Sequence, residues 1–311
     1  MVPPNTVTAQ TNAIADQARL LRLATWASVS TALVLILAKL IAWGLTGSIS
    51  VLASLVDSAM DLGASVLNLL AVHWSLRPPD REHRFGHGNA QALAALGQSA
   101  LIAGSALFLG AEAIGRLLQP VPLAATGVGV AVILFAIVAT LALLAFQRHV
   151  IRRTRSPAIR ADSLHYATDL ATNLATLLAL MLAGQGWSKA DPLIGLGIAG
   201  WVLVSALRLG WEAVDLLMDR ELPDADRARI LDLASSVPEV HGVHGLRTRR
   251  SGQRAIIQLH LVLDDDLTLA NAHRVALVVE AKICALYPDA DIIIHQDPSS
   301  LGAEPGEAME P

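Results

Sequence analysis

Residues Ser54–Asp61 read SLVDSAMD, inside an apolar run from Val51 to Trp74 that contains no lysine or arginine. Asp57 and Asp61 are four residues apart, so a helix places both on one face about one turn apart. His165 and Asp169 repeat that spacing near the start of another apolar run, Ala158–Ala183. Ionisable groups inside a membrane span are costly and face a bundle interior or a water-filled path. Three carboxylates and one imidazole on two such helices can surround a single divalent cation. The competing reading makes such residues caps or interfacial groups at helix ends. It suits Asp162 and Ser163, which read as N-caps. It does not suit Asp57 and Asp61, because nothing in Ser54–Asp61 ends a helix.

Composition agrees with burial in lipid. Of 311 residues, 53% are hydrophobic and only 16% charged, where a soluble domain carries about a quarter. The net charge of -4 is too small and too dispersed for a nucleic-acid partner. The single cysteine, Cys284, rules out an internal disulfide and cysteine-rich zinc sites, and reads as a packed thiol. Any metal chemistry must therefore use His, Asp and Glu.

Residues 1–17 are polar and read as a flexible lead-in. Six runs long enough to cross a bilayer follow, near Leu21–Leu45, Ile49–Ser75, Gln91–Leu118, Leu123–Gln147, Ala158–Ala183 and Pro192–Trp211. They make up a membrane region of residues 18–215. Arginines gather on alternate connectors (Arg77, Arg81 and Arg84; Arg148, Arg152, Arg153, Arg155 and Arg160; Arg208 and Arg220), which places both termini in the cytoplasm. Lys39, near the far interface, reads as a snorkelling side chain, and Glu112 as an interfacial one. Asn68 and Asn173 extend the polar stripes of their helices and suit hydrogen bonds across the bundle.

Beyond residue 215 the pattern changes. An amphipathic helix (Pro223–Ser236), two alternating strands (His241–Arg250 and Arg254–Leu263) with a turn at Ser251-Gly252, a second helix (Leu267–Tyr287) and a strand at Asp291–His295 define an α+β domain, residues 216–297, in αββαβ order. Residues 298–311 read as a disordered tail.

Histidines cluster in two further places. Asp80, His83 and His87 have the D-x-x-H-x-x-x-H spacing of a three-ligand site, or are a solvated polar loop. His244, His260, His273 and His295 fall on three strands and one helix of the C-terminal domain, with Asp297 just beyond the last strand. Four histidines in one small domain favour a metal site. His73, His149 and His241 have no partner by spacing and read as structural or interfacial.

SLVDSAMD at Ser54–Asp61, DREHRFGHG at Asp80–Gly88, ADSLHYATD at Ala161–Asp169 and IIHQDP at Ile293–Pro298 resemble, in that order, the motifs of the cation diffusion facilitators. The likeness spans residues 18 to 298. It implies an α-helical membrane protein of six transmembrane helices with a cytoplasmic, metallochaperone-like domain. The resemblance further implies a homodimer in the bacterial inner membrane, a secondary transporter and not an enzyme, which exports a divalent cation in exchange for protons. Carried over by position, Asp57, Asp61, His165 and Asp169 match the transport site, and Asp80, His83 and His87 a loop site. His244, His260, His273, His295 and Asp297 match a paired-metal site with Asp297 as its bridge. The implied cargo is Zn2+. Asp57, where zinc-restricted relatives carry His, implies tolerance of Cd2+ or Fe2+. In one respect the chain departs: relatives carry a lysine at the position of Asn89, able to pair with an acid matching Asp219, which leaves Arg84 or Arg220 as candidate substitutes.

The residues alone support exchange. Three Asp and a neutral His must shed protons before they bind metal, so metal and protons compete. His165 is then the natural proton carrier. Two rivals remain. An intramembrane metallohydrolase would want an open coordination position and an H-E-x-x-H-like motif, which is absent from the sequence. A membrane-anchored metal sensor would leave the carboxylates at depth unexplained.

Overall fold

The computed structural model describes residues 4–47, 49–119, 127–183 and 190–301. Six long helices come first: α1 (Pro4–Thr46), α2 (Ile49–Ser75), α3 (Ala90–Leu118), α4 (Gly127–Thr154), α5 (Pro157–Ala183) and α6 (Ala190–Leu217). The lead-in expected to be flexible is helical from Pro4 onward, because α1 continues back through it. Gln and Ala there are good helix formers, and no glycine intervenes. α4 outlasts its apolar run by two turns, to Thr154, as arginines extend it. The connectors at residues 120–126 and 184–189 and the tail at 302–311 lie outside the described residues.

Five of these helices are long and apolar enough to cross a membrane. The sixth, α5, carries Arg160, Asp162, His165 and Asp169, which lower its hydropathy. Small residues let helices close on one another: Ala95, Ala161 and Ala213 with Leu209, and Ile102 and Ala106 with Val202 and Ala206, join α3, α5 and α6. Leu21 and Ala24 of α1 pack with Val72, Val150, Ala158 and Ile159. Large apolar side chains such as Leu37, Leu67, Phe108 and Val138 face outward, as a lipid-facing surface requires.

The C-terminal unit has its own core. α7 (Asp224–Ser235) and α8 (Leu269–Leu286) cover one face of a sheet in the order β1 (Gly242–Ser251), β2 (Arg254–Leu263), β3 (Asp291–Pro298). The strands β1 and β2 form an antiparallel hairpin, and β3 runs parallel to β2. Gly252 (φ +61°) supplies the left-handed residue of the turn. Alternation along β2 sends Ile257, Leu259 and Leu261 into the core against Ile230, Val275, Val279 and Ile283. The edge strand β3 is half buried: Ile292 and Ile294 pack inward, while Ile293 is exposed. An edge strand with helices on one side only leaves its other face open.

The segment Pro79–Gly88 belongs to this unit. Gly88 lies so close to Ser251 and Gly252 that a Cβ on Gly88 would stand 2.5 Å from the Ser251 carbonyl carbon. Glycine is required at that approach.

Candidate metal centres

In the helical unit, α2 and α5 bring Asp61, His165 and Asp169 together, with one donor atom from each within 4.8 Å of the others. The Nε2 atom of His165 is 3.1 Å from Asp61 Oδ1 and 3.8 Å from Asp169 Oδ2. That imidazole nitrogen is buried and lacks the alignment of a hydrogen bond to either carboxylate. Carboxylate oxygens from α2 and α5 thus approach the same imidazole nitrogen. Such an N,O,O set suits a divalent cation of borderline hardness. Asp57 lies one turn before Asp61 on α2, exposed and outside this convergence.

Lys39 does not snorkel. Its Nζ donates to the Ser54 carbonyl oxygen at 3.0 Å and to Ser58 Oγ at 2.5 Å, so the ammonium is tied to α2 at the level of the two aspartates. Glu112 pairs with Arg116, which also reaches Asp191 at 3.2 Å.

Asp162 is no helix cap either, because α5 begins five residues earlier, at Pro157. Its side chain is 0% exposed. It accepts from Ser28 Oγ at 2.5 Å, Gln147 Nε2 at 2.7 Å and Gln98 Nε2 at 3.5 Å. One carboxylate thus ties α5 to α1, α4 and α3. Tyr166 adds a second tie, donating to the Ser28 carbonyl oxygen at 3.0 Å and accepting from Ser65 Oγ at 3.1 Å. Ser28, Gln98 and Gln147 escaped the sequence reading. Their signal was an uncharged polar residue set in an apolar run. Asn68 was expected to bond across the bundle, yet both its amide atoms are buried without a partner among the described residues.

The loop residues Asp80, His83 and His87 also converge within 4.8 Å. Asp80 Oδ1 accepts from the backbone N–H of His83 (2.6 Å) and of Glu82 (2.9 Å). The His83 bond leads in holding the Asp80 carboxyl below its usual range. The imidazoles of His83 and His87 lie 3.4 and 3.3 Å from the two oxygens of Asp80. Gly86, at φ +83°, turns the chain between the two histidines.

The third cluster follows from sheet register. His244 pairs with His260, and His260 with His295, so the three side chains form one rung across the sheet. Alternation puts His260 on the face opposite the core residues Leu259 and Leu261. Asp297, two residues after His295, shares that face. Its Oδ2 is 3.1 Å from His244 Nε2 and 2.9 Å from His260 Nδ1, while Oδ1 is 3.4 Å from His295 Nε2. His244 is 1% exposed and His295 64% exposed, so the rung runs from a buried end to an open one. A carboxylate whose two oxygens address different imidazoles fits a metal-binding donor set. His273, on α8, is exposed and outside this cluster.

Two family descriptions match the chain: a cation efflux transmembrane domain over residues 25–218 and a cation efflux protein cytoplasmic domain over residues 222–299. The chain belongs to the cation efflux family of membrane transporters. It is 52% identical to the cation-efflux pump FieF of Klebsiella pneumoniae subsp. pneumoniae over 283 residues, 91% of this chain and 94% of that protein. Against FieF of Citrobacter koseri it is 51% identical over 292 residues, 94% of this chain and 97% of that protein. A solved zinc form of CzrB is 28% identical over 28% of this chain and 99% of that one, with a TM-score of 0.26.

Proposed function

We propose that this chain exports a divalent cation, Zn2+ first and Cd2+ or Fe2+ besides, in exchange for protons. The observation that carries the reading is the convergence of Asp61, His165 and Asp169 from two helices of the transmembrane domain. Asp57, one turn away on the same helix, completes a four-ligand shell when the cation enters. All four groups must be deprotonated to bind, so protons arriving from the far side displace the cargo. The arginine-rich connectors support a cytoplasmic location for both termini, in a bacterial inner membrane. We further infer that the chain works as a homodimer, as the resemblance implies. Asp80, His83 and His87, and separately His244, His260, His295 and Asp297, are then cytoplasmic metal sites, with His273 joining the last group on metal binding. There zinc ties strands or loop residues together and does no chemistry on the cargo.

The test is metal-for-proton exchange by the purified chain in proteoliposomes with a pH gradient. Asp61→Ala and Asp169→Ala should abolish exchange while eluting as folded protein. Exchange at the wild-type rate in both would refute the site.

A further inference from the structure

We infer that Lys39 is a tethered counter-cation of the transport site, a positioning residue that sets how tightly the cargo is held. The inference rests on the reading that Asp61, His165 and Asp169 carry the cation. Lys39 projects from α1 in a span otherwise without charge from Leu23 to Trp43. A lysine in such a position is costly unless paired. Its ammonium stands between Ser54 and Ser58, within the eight-residue stretch that supplies Asp57 and Asp61. Asp57, Asp61 and Asp169 are all within its electrostatic reach. No carboxylate takes it as a direct ion-pair partner among the described residues, so its single charge acts on the three acids together.

Two consequences follow from Coulomb's law in a medium less polar than water. While the site is empty, Lys39 partly offsets the clustered acids and keeps them from repelling one another apart. When a dication enters, the same charge opposes it and weakens its hold. An exporter needs that opposition, because a site of three acids with no positive neighbour would release a dication slowly. The ammonium cannot leave, so it is ready to offset the acids as soon as the cargo departs.

Two neutral replacements separate charge from structure. Lys39→Gln keeps an N–H donor for Ser58 or Ser54. Lys39→Met keeps bulk only and leaves the Ser58 hydroxyl free to bond back to the Ser54 carbonyl, one turn earlier. Zn2+ uptake would be followed in proteoliposomes of the full chain, with Asp61→Ala as reference. Both neutral variants should lower KM for Zn2+ on the order of tenfold and slow turnover. Lys39→Arg should hold KM within about twofold of wild type. A structural tie alone would leave KM unchanged or raise it, and that result in Lys39→Gln overturns the inference. Should Asp61→Ala transport like wild type, the site assignment itself falls, and the role of Lys39 with it. An inactive Asp61→Ala beside a Lys39→Gln variant with wild-type KM sinks the role of Lys39 alone.

Discussion

Arg249 Nη1 donates to Asp219 Oδ1 at 2.9 Å, while the same guanidinium lies 5.0 Å from the centre of the Phe85 ring. Asp219 is thus partnered by a residue of β1. Neither of the arginines suggested by sequence takes that place: Arg220 binds Asp215 instead, and Arg84 has no described contact with Asp219. Phe85 sits between His83 and His87, so Arg249 fastens the loop that carries both histidines to the sheet. Both partners are partly exposed, so the pair contributes no more than about 1 kcal/mol. Arg249→Ala should leave the fold intact and speed hydrogen exchange in residues 80–88. Arg249→Lys, which keeps the charge but stacks poorly on an aromatic face, should fall between. Unaltered exchange in both variants would mean that Gly88 and the hairpin turn hold the loop alone.

Much of this architecture was legible in the residues. Helix and strand order and the α2–α5 pairing of acids with imidazole follow from apolar runs and spacing, and the strand histidines were visible, though their alignment in one rung needs the sheet register. What escaped was three-dimensional pairing. Asp162 looked like a cap because it lies near the start of an apolar run, and only the packing of four helices shows three neutral donors closing on it. Lys39 looked interfacial because its distance along α1 was visible and its direction was not. His273 lies on α8, outside the convergence of His244, His260 and Asp297, and spacing alone does not say which side of that helix it occupies.

Asp162 is buried among neutral donors, so losing it takes an acceptor from Ser28, Gln98 and Gln147, although Ser28 Oγ still reaches the Ala24 carbonyl at 3.1 Å and Gln147 Nε2 still reaches Ser28 Oγ at 3.1 Å. Asp162→Ala should lower the stability of the helical unit by about 1–3 kcal/mol, read as a lower midpoint in thermal unfolding in detergent. Asp162→Asn keeps an acceptor for Ser28 and Gln147, and its new N–H group can face the Gln98 carbonyl after that amide flips. It should therefore lie closer to wild type than Asp162→Ala. Equal loss in both would show that the negative charge, not the bonding pattern, holds the four helices.

The C-terminal core draws its buried members from residues 222–283 only, which predicts that residues 216–301 fold when expressed alone. Leu261 is 0% exposed in the centre of the sheet, so Leu261→Ala should cost about 3 kcal/mol. Asp265 gives a pH signature. Bonds from Ser300, and then from Ser299, hold its carboxyl below the usual carboxylate range. Its stabilising effect is therefore present above the ordinary aspartate pKa and lost as pH falls through the lowered value. Asp265→Asn should reduce the melting temperature at pH 7 and leave it unchanged near pH 2. A fragment that stays unfolded at every pH would refute the self-contained core.

The histidine rung makes the sharpest demand on a single side chain. Asp297 is the only carboxylate of the cluster among the described residues, and its two oxygens address His244, His260 and His295 between them. Removing it takes away the anionic ligand and the link between the buried and open ends of the rung together. Removing His295 takes away only the exposed end. Zn2+ titration of the chain carrying Asp61→Ala, His83→Ala and His87→Ala would isolate this cluster. In that background Asp297→Ala should weaken Zn2+ binding on the order of a hundredfold, and His295→Ala by about tenfold. The order matters more than either size. If His295→Ala were the more damaging change, the metal would be held at the open end of the rung, with the Asp297 pairs to His244 and His260 serving as hydrogen-bonded structure.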